Sequence, residues 1–230
     1  MKILAIETSC ERASVTLRLG SAQSLRRLEG HLNHSERLLP TVRELLAEAG
    51  VSLSALDAIA FGSGPGAFTG LRLACGVAQG LAMGAGLGVV PVSSLAALAF
   101  ESGHRQVLVA TDARMGEVYA AAYVCEGDIP EEVFEPICLP PEQLMLPENG
   151  HWHLNGSALK AYPERLSALD TERILARDPE AVPSADGVCA IASQLVENGK
   201  ILAPELAVPL YVRNKVALTT AERFAKGGRA

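Results

Sequence analysis

The sequence lacks a surplus of positive charge: Lys and Arg number 20 against 26 Asp and Glu, for a formal net charge of -6. A surface of that overall sign does not attract a phosphate backbone, so any contact with RNA has to be local or lent by a partner. Paired cysteines are missing too. Cys10, Cys75, Cys125, Cys138 and Cys189 lie far apart with no C-x-x-C, and the opening MKILAIETS shows no basic-then-apolar leader. Together these predict free thiols in a reducing cytoplasm. The chain also has no G-x-x-x-x-G-K-[ST] phosphate loop and no G-x-S-x-G nucleophile elbow, and no cysteine is placed with a histidine as nucleophile and base.

What is present is apolar content, 49% of 230 residues, enough for two modest cores. The run LACGVAQGLAMGAGLGVVPV, Leu73 to Val92, has the length of a membrane span, but it is mostly Ala and Gly, carries Gln79 and ends in Gly84, Gly86, Gly88 and Pro91. Those residues break helices, so the run reads as a buried helix followed by a short strand.

KILAIETS and ASVTLRLG form a hairpin, and a third strand from about Ala22 to Gly30 completes a meander. In NHSERLLPTVRELLAEAG, Leu38, Val42, Leu45 and Ala49 share one helical face, Pro40 belongs near the first turn and Gly50 closes the helix. LDAIAFGSG is an apolar strand running into a glycine turn, and GVVPVSSLAALAF reads as strand, turn and helix. From Gln106 the hairpin logic repeats in VLVATDARMGEVYAAAYVC. Ile129 to Asn149 reads as loop with an edge strand and one helical turn, HWHLNGSALKAYPERL as strand, turn and helix, and PSADGVCAIASQLVENG as a helix starting near Ser184 or Asp186. The division is residues 1–105 and 106–230: two α/β units, each opening with a meander, with a cleft between them.

FGSGPGAFTGLR holds two readings open. Gly64, Pro65 and Gly66 make either a turn whose amides face an anion at a helix start, or a strand-to-helix turn that needs glycine for backbone geometry alone. Arg72 pairs with a phosphate on the first reading and with a carboxylate on the second. In the helix beyond, Gly76, Gly80 and Gly84 fall on one stripe, where another helix can approach closely, either inside this chain or from a partner.

LAIETSCERASVTL, HSERLLPTV, FGSGPGAFTGLRLACGVAQGLA, TDARMGEVYAAAY and VPLYVRNKVA together resemble the TsaB (YeaZ) family, over almost the whole chain, and GPGAFTGLR is the most specific block. The resemblance implies the actin-like, Hsp70-like ATPase fold (ribonuclease H-like, α/β, two tandem lobes). It also implies a role beside a paralogue, TsaD, that transfers threonylcarbamoyl to adenosine 37 of tRNA. On that footing this chain is a non-catalytic partner, joined to a TsaE-type ATPase and to tRNA through the complex. A homodimer is the expectation for the chain alone, with ATP or ADP at the complex and no cofactor certain.

ATPases of this fold place a carboxylate at the end of the first strand to organise magnesium; here Glu7, Thr8 and Ser9 stand there. The TsaD pattern has two metal-binding histidines, H-x-x-x-H, after the strand that follows the glycine-turn helix; matching GLGVVPVSSLAAL to it puts Ser94 and Leu98 in their places. Leucine cannot ligate and a neutral serine is a poor ligand, so no metal and no transferase chemistry are expected. The partner face expected from the resemblance joins the two helices through Leu38, Val42, Leu45 and Leu46, with Leu73, Gly76, Gly80, Met83 and Gly84. An autonomous actin-fold enzyme, a small-molecule kinase or a metallopeptidase, is the alternative.

Other features point to bland roles. His31 and His34 fit a cap or the surface, and His151 and His153 share a strand face without a third ligand. Asp112 and Glu117 flank a turn, where carboxylates are usually solvated. The tail holds Arg213, Lys215, Arg223, Lys226 and Arg229 against Glu222, as a solvated end or an RNA contact.

Overall fold

A computed structural model describes residues 1–28, 34–169 and 171–213. The first sheet contains β1 (Lys2–Glu7), β2 (Ser14–Leu19), β3 (Ala22–Arg27), β4 (Ala58–Gly64) and β5 (Gly88–Ser93), in the order β3-β2-β1-β4-β5. The meander is antiparallel, and β4 and β5 add in parallel beyond β1. The second sheet contains β6 (Gln106–Arg114), β7 (Glu117–Val124), β8 (Glu131–Leu139), β9 (Trp152–Asn155) and β10 (Ile174–Asp178), in the order β10-β9-β6-β7-β8. Its pairing senses repeat those of the first, β6–β7–β8 antiparallel and β6–β9–β10 parallel. Each lobe therefore has its first strand at the centre, a meander on one side and two parallel strands on the other.

The central strands are apolar runs because both of their faces are covered. Alternate residues of β1 enter different cores: Ile3 and Ala5 face the inner one, Leu4 and Ile6 the outer one. The inner core lies between the sheets and holds α3 (Ser94–Glu101) and α5 (Ala185–Glu197). Val107 and Val109 of β6 reach it from the second lobe, while Leu108 and Ala110 face a third core around Trp152, Leu154 and Leu166.

α5 comes from the second half of the chain yet is bound to the first sheet. Ser184 caps it by accepting from the Asp186 amide. The Ala185 amide donates to Ser14 Oγ (2.9 Å), and Thr16 Oγ1 donates to Asp186 Oδ1 (2.6 Å). Gly187 permits the crossing over α3, since a Cβ there would stand 2.7 Å from the Ala97 carbonyl.

On the other face of the first sheet lie α1 (His34–Glu48) and α2 (Phe68–Ala85). α1 closes at Gly50, φ +64°, with Val51 N donating to Leu46 O in the αL arrangement glycine favours. Pro40, expected near the first turn, stands in the second, because the helix already begins at His34; it lies on the exposed side. After α5 the chain returns as an irregular strap, residues 200–213. Leu202 exchanges two backbone hydrogen bonds with Val89 on the edge of β5, and Gln79 Nε2 of α2 donates to the carbonyls of Pro204 and Ala207.

Candidate functional site

The turns of the two pseudo-equivalent hairpins, β1–β2 and β6–β7, meet over an interlobe cleft of about 410 Å³. Ser9, Cys10, Gly66 and Ala67 line one side; Thr111, Asp112, Ser157 and Lys160 line the other.

Glu7 sits at the end of β1, but its carboxylate is fully buried and turned inward. Oε1 accepts from the Ser9 amide at 2.6 Å, and Oε2 accepts from Ser94 Oγ at 2.8 Å. Gly62 makes room: a Cβ there would stand 2.0 Å from Glu7 Oε2. Burial pushes the Glu7 carboxyl above its ordinary value, against the lowering effect of the Ser9 and Ser94 hydrogen bonds. Ser94, where the resemblance puts a metal-binding histidine, thus serves to hold this carboxylate, and Leu98, one turn later, lies in the inner core.

The glycine turn is pressed onto the same stretch of backbone. Ala67 N donates to Ser9 O at 2.7 Å, and Thr8 Oγ1 donates to Gly70 O at 2.6 Å. A Cβ at Gly66 would lie 2.5 Å from Ser9 O, and one at Gly70 only 1.9 Å from Thr8 O. Gly64 takes a φ of +112°. Close backbone contact accounts for these glycines. Pro65 and Gly66 line the cleft, whereas Arg72 does not: its guanidinium lies 3.9 Å over the Phe68 ring, and Nε donates to Tyr211 OH at 3.0 Å on the outer side of α2. The structure corrects the pairing expected for Arg72, since the helix turns it away from the cleft.

Charged groups to which the sequence reading gave no site role do face the cleft. Asp112, expected to be solvated, is held: its side chain is only 14% exposed, Tyr162 OH donates to Oδ1 at 2.8 Å, and its amide donates to Ser157 Oγ at 3.0 Å. Tyr162 lies fifty positions along the chain, so no local pattern announces it. Across the mouth, Arg12 pairs with Glu180 at 3.0 Å and Arg114 pairs with both Glu11 and Asp112, linking the lobes. Lys160, then Arg12, hold the Glu180 carboxyl below its usual range. Burial, and then the Glu7 charge, push the Cys10 thiol up to about 12, so it stays protonated at neutral pH and is no nucleophile.

The second surface is the helix pair. Gly76, Gly80 and Gly84 are exposed, and a Cβ at any of them would meet nothing within 4 Å. Met83, 67% exposed, stands beside them, while Leu73 is half-buried against the outer core. The α1 half of the expected face needs correcting. Leu38, Val42 and Leu45 are at most 2% exposed and belong to the outer core, with Leu46 packed at its margin. A side chain already spent on the chain's own sheet offers no area to a partner. What α1 turns outward is Leu39, 46% exposed, with Arg43 and Ala47 at helical spacing.

Among the described residues no three His, Cys, Asp or Glu gather in a way that would hold a metal ion, and no helix is long and apolar enough to cross a membrane. His153 stacks on His104, ring centroids 3.5 Å apart, rather than acting with His151. His34 is the first residue of α1, whereas His31 and the tail from residue 214 lie outside the described residues.

Duplicated sheets of this order around an interlobe cleft define an α/β protein of the actin-like ATPase fold. TsaB of Escherichia coli (strain K12), a tRNA threonylcarbamoyladenosine biosynthesis protein, is 38% identical over 94% of this chain and 96% of its own length, and the Haemophilus influenzae TsaB is 35% identical over 94% and 95%. The solved YeaZ from Pseudomonas aeruginosa, 39% identical, superposes with a TM-score of 0.82 over 91% of this chain and all of that one. The chain belongs to the TsaB (YeaZ) family. The TsaD family, tRNA N6-adenosine threonylcarbamoyltransferase, also matches, over residues 29–184.

Proposed function

We propose that this chain is the non-catalytic subunit that docks on a TsaD-type transferase and activates it for attaching threonylcarbamoyl to tRNA. The observation that carries the reading is the outer face of α2, where three glycines at helical spacing lie open to solvent. A missing side chain at each lets a partner helix approach closely; Phe68 and Met83 are exposed on the same helix, and Leu39 is exposed on α1. The match of the TsaD family to this chain supports a pseudo-symmetric pairing of equivalent helices. Commitment of Glu7 to Ser9 and Ser94 supports assigning the chemistry to the paralogue, and ATP or ADP to the assembled complex.

In this reading the pair is a heterodimer in the cytoplasm, the TsaE-type ATPase and tRNA join through it, and two copies of this chain use the same face when the paralogue is absent. The TsaB relatives do not favour an autonomous kinase or metallopeptidase.

The test is threonylcarbamoyl transfer in a mixture of threonine, bicarbonate, ATP, the adenylate-forming enzyme, the paralogue, the ATPase and tRNA, with and without this chain. Product only when both this chain and the paralogue are present supports the proposal. Product at an equal rate without this chain overturns it.

A further inference from the structure

The β6–β7 turn is strained. Arg114, Met115 and Gly116 take φ values of 61°, 58° and 81° in succession, and the first two lack glycine's freedom in that region. Something outside the hairpin has to hold them there. Arg165 Nη1 donates to the Gly116 carbonyl at 3.1 Å, and Arg213 at the end of the strap holds the other side of the turn. Its Nη2 donates to the carbonyls of Ala113 (3.0 Å) and Arg114 (3.1 Å) and pairs with Glu117 at 2.6 Å. The side chain is 14% exposed and its guanidinium lies over the Tyr119 ring.

Only Val212 separates this residue from a second anchor. Tyr211 lies against Phe68, ring centroids 5.6 Å apart, and accepts from Arg72 Nε, while Leu210 N donates to Ser63 O at 2.7 Å. On the far side of the turn, the Arg114 amide donates to Asp112 Oδ1 at 2.8 Å, and its guanidinium reaches Asp112 and Glu11 at the cleft. Contacts thus run unbroken from the outer side of α2, through Tyr211 and Arg213, to the charged mouth of the cleft.

We infer that Arg213 is a positioning residue: it clasps the strained turn to the strap, and through Tyr211 it couples the outer face of α2 to the placement of Asp112 and Arg114. The clasp is a property of this chain alone and stands or falls independently of the docking proposal.

The experiment is amide hydrogen exchange of the full chain, with Arg213→Ala and Tyr211→Ala compared with wild type. Loss of a charged donor from two carbonyls predicts exchange at residues 113–117 faster by about tenfold or more, with β1 and β4 unchanged. Tyr211→Ala, which keeps the guanidinium but removes the Phe68 and Arg72 contacts at the end of the strap, is expected to speed the same amides. A cleft-side readout is exchange at the amides of residues 10–12, which rises when the Arg114–Glu11 bridge loosens. If Arg213→Ala fails to fold, Arg213→Lys replaces it: lysine keeps a positive charge but ends one bond short of the Nη2 position that reaches both carbonyls and Glu117. Wild-type exchange at 113–117 in the Arg213 variant overturns the clasp. Acceleration there without acceleration in Tyr211→Ala overturns the coupling.

Discussion

Ser94 Oγ at the start of α3 donates to Glu7 Oε2 at the end of β1, 2.8 Å apart and both fully buried. The bond joins two elements 87 residues apart and satisfies a carboxylate that burial would otherwise penalise. Removing the donor in Ser94→Ala leaves a buried oxygen short of a partner, and we expect it to lower unfolding stability by about 1–3 kcal/mol. Urea denaturation of the two proteins at pH 7 measures this; a variant as stable as wild type would show that Ser94 contributes nothing there.

The same carboxylate gives a pH signature. Because burial raises the Glu7 pKa in the folded state, the folded chain holds this proton to higher pH than the unfolded chain does. Within the window between the unfolded value and the raised folded one, the folded state binds more protons, so Glu7 makes stability fall as pH rises. Glu7→Gln cannot titrate; its oxygen still accepts from Ser9 N and its amide donates to Ser94 Oγ. The expected outcome is a Tm difference, variant minus wild type, that grows as pH climbs from 4.5 towards neutrality. A difference constant with pH would mean that Glu7 titrates normally.

The tandem α/β fold was legible because β1, β4 and the Ser184-capped α5 carry signals that are local: apolar runs and a capping residue. β10 escaped because it is an edge strand whose residues are largely exposed and polar, held by pairing with β9 rather than by burial. The α1 face shows a different limit. Periodicity reveals which side of a helix is apolar, not which neighbour consumes it, and here the chain's own sheet takes Leu38, Val42 and Leu45. Asp112 and the strap were illegible for a third reason, since Tyr162, Arg72 and Arg213 define them across long sequence separations.

Two glycines of one helix separate backbone approach from open surface. A methyl at Gly70 would stand 1.9 Å from Thr8 O, so Gly70→Ala forces α2 off the first hairpin, at an expected cost of about 1–3 kcal/mol or more. Gly76→Ala meets nothing within 4 Å and removes a flexible residue from mid-helix, so it gains about 0.5–1 kcal/mol. Thermal and urea unfolding of the two single variants read the contrast directly. Equal effects would mean that α2 does not press its first turn onto Thr8 as the geometry states.

Gly80 puts the docking face itself to the test. Gly80→Leu introduces a side chain into open space on the outer side of α2, so the free chain should stay folded with unchanged or slightly higher stability. The same side chain blocks close helix approach, and we expect the affinity for the TsaD-type paralogue to fall by more than about tenfold, a loss of about 1.4 kcal/mol. Leu45→Ala is the converse control: it hollows the outer core and costs about 2–5 kcal/mol of stability, and any loss of binding tracks unfolding. Leu39→Ala trims exposed α1 surface and should weaken binding without moving the Tm. Calorimetric titration of each folded variant into the paralogue distinguishes these cases. Wild-type affinity in Gly80→Leu would take α2 out of the docking surface and leave the exposed side of α1 as the remaining part of the pair.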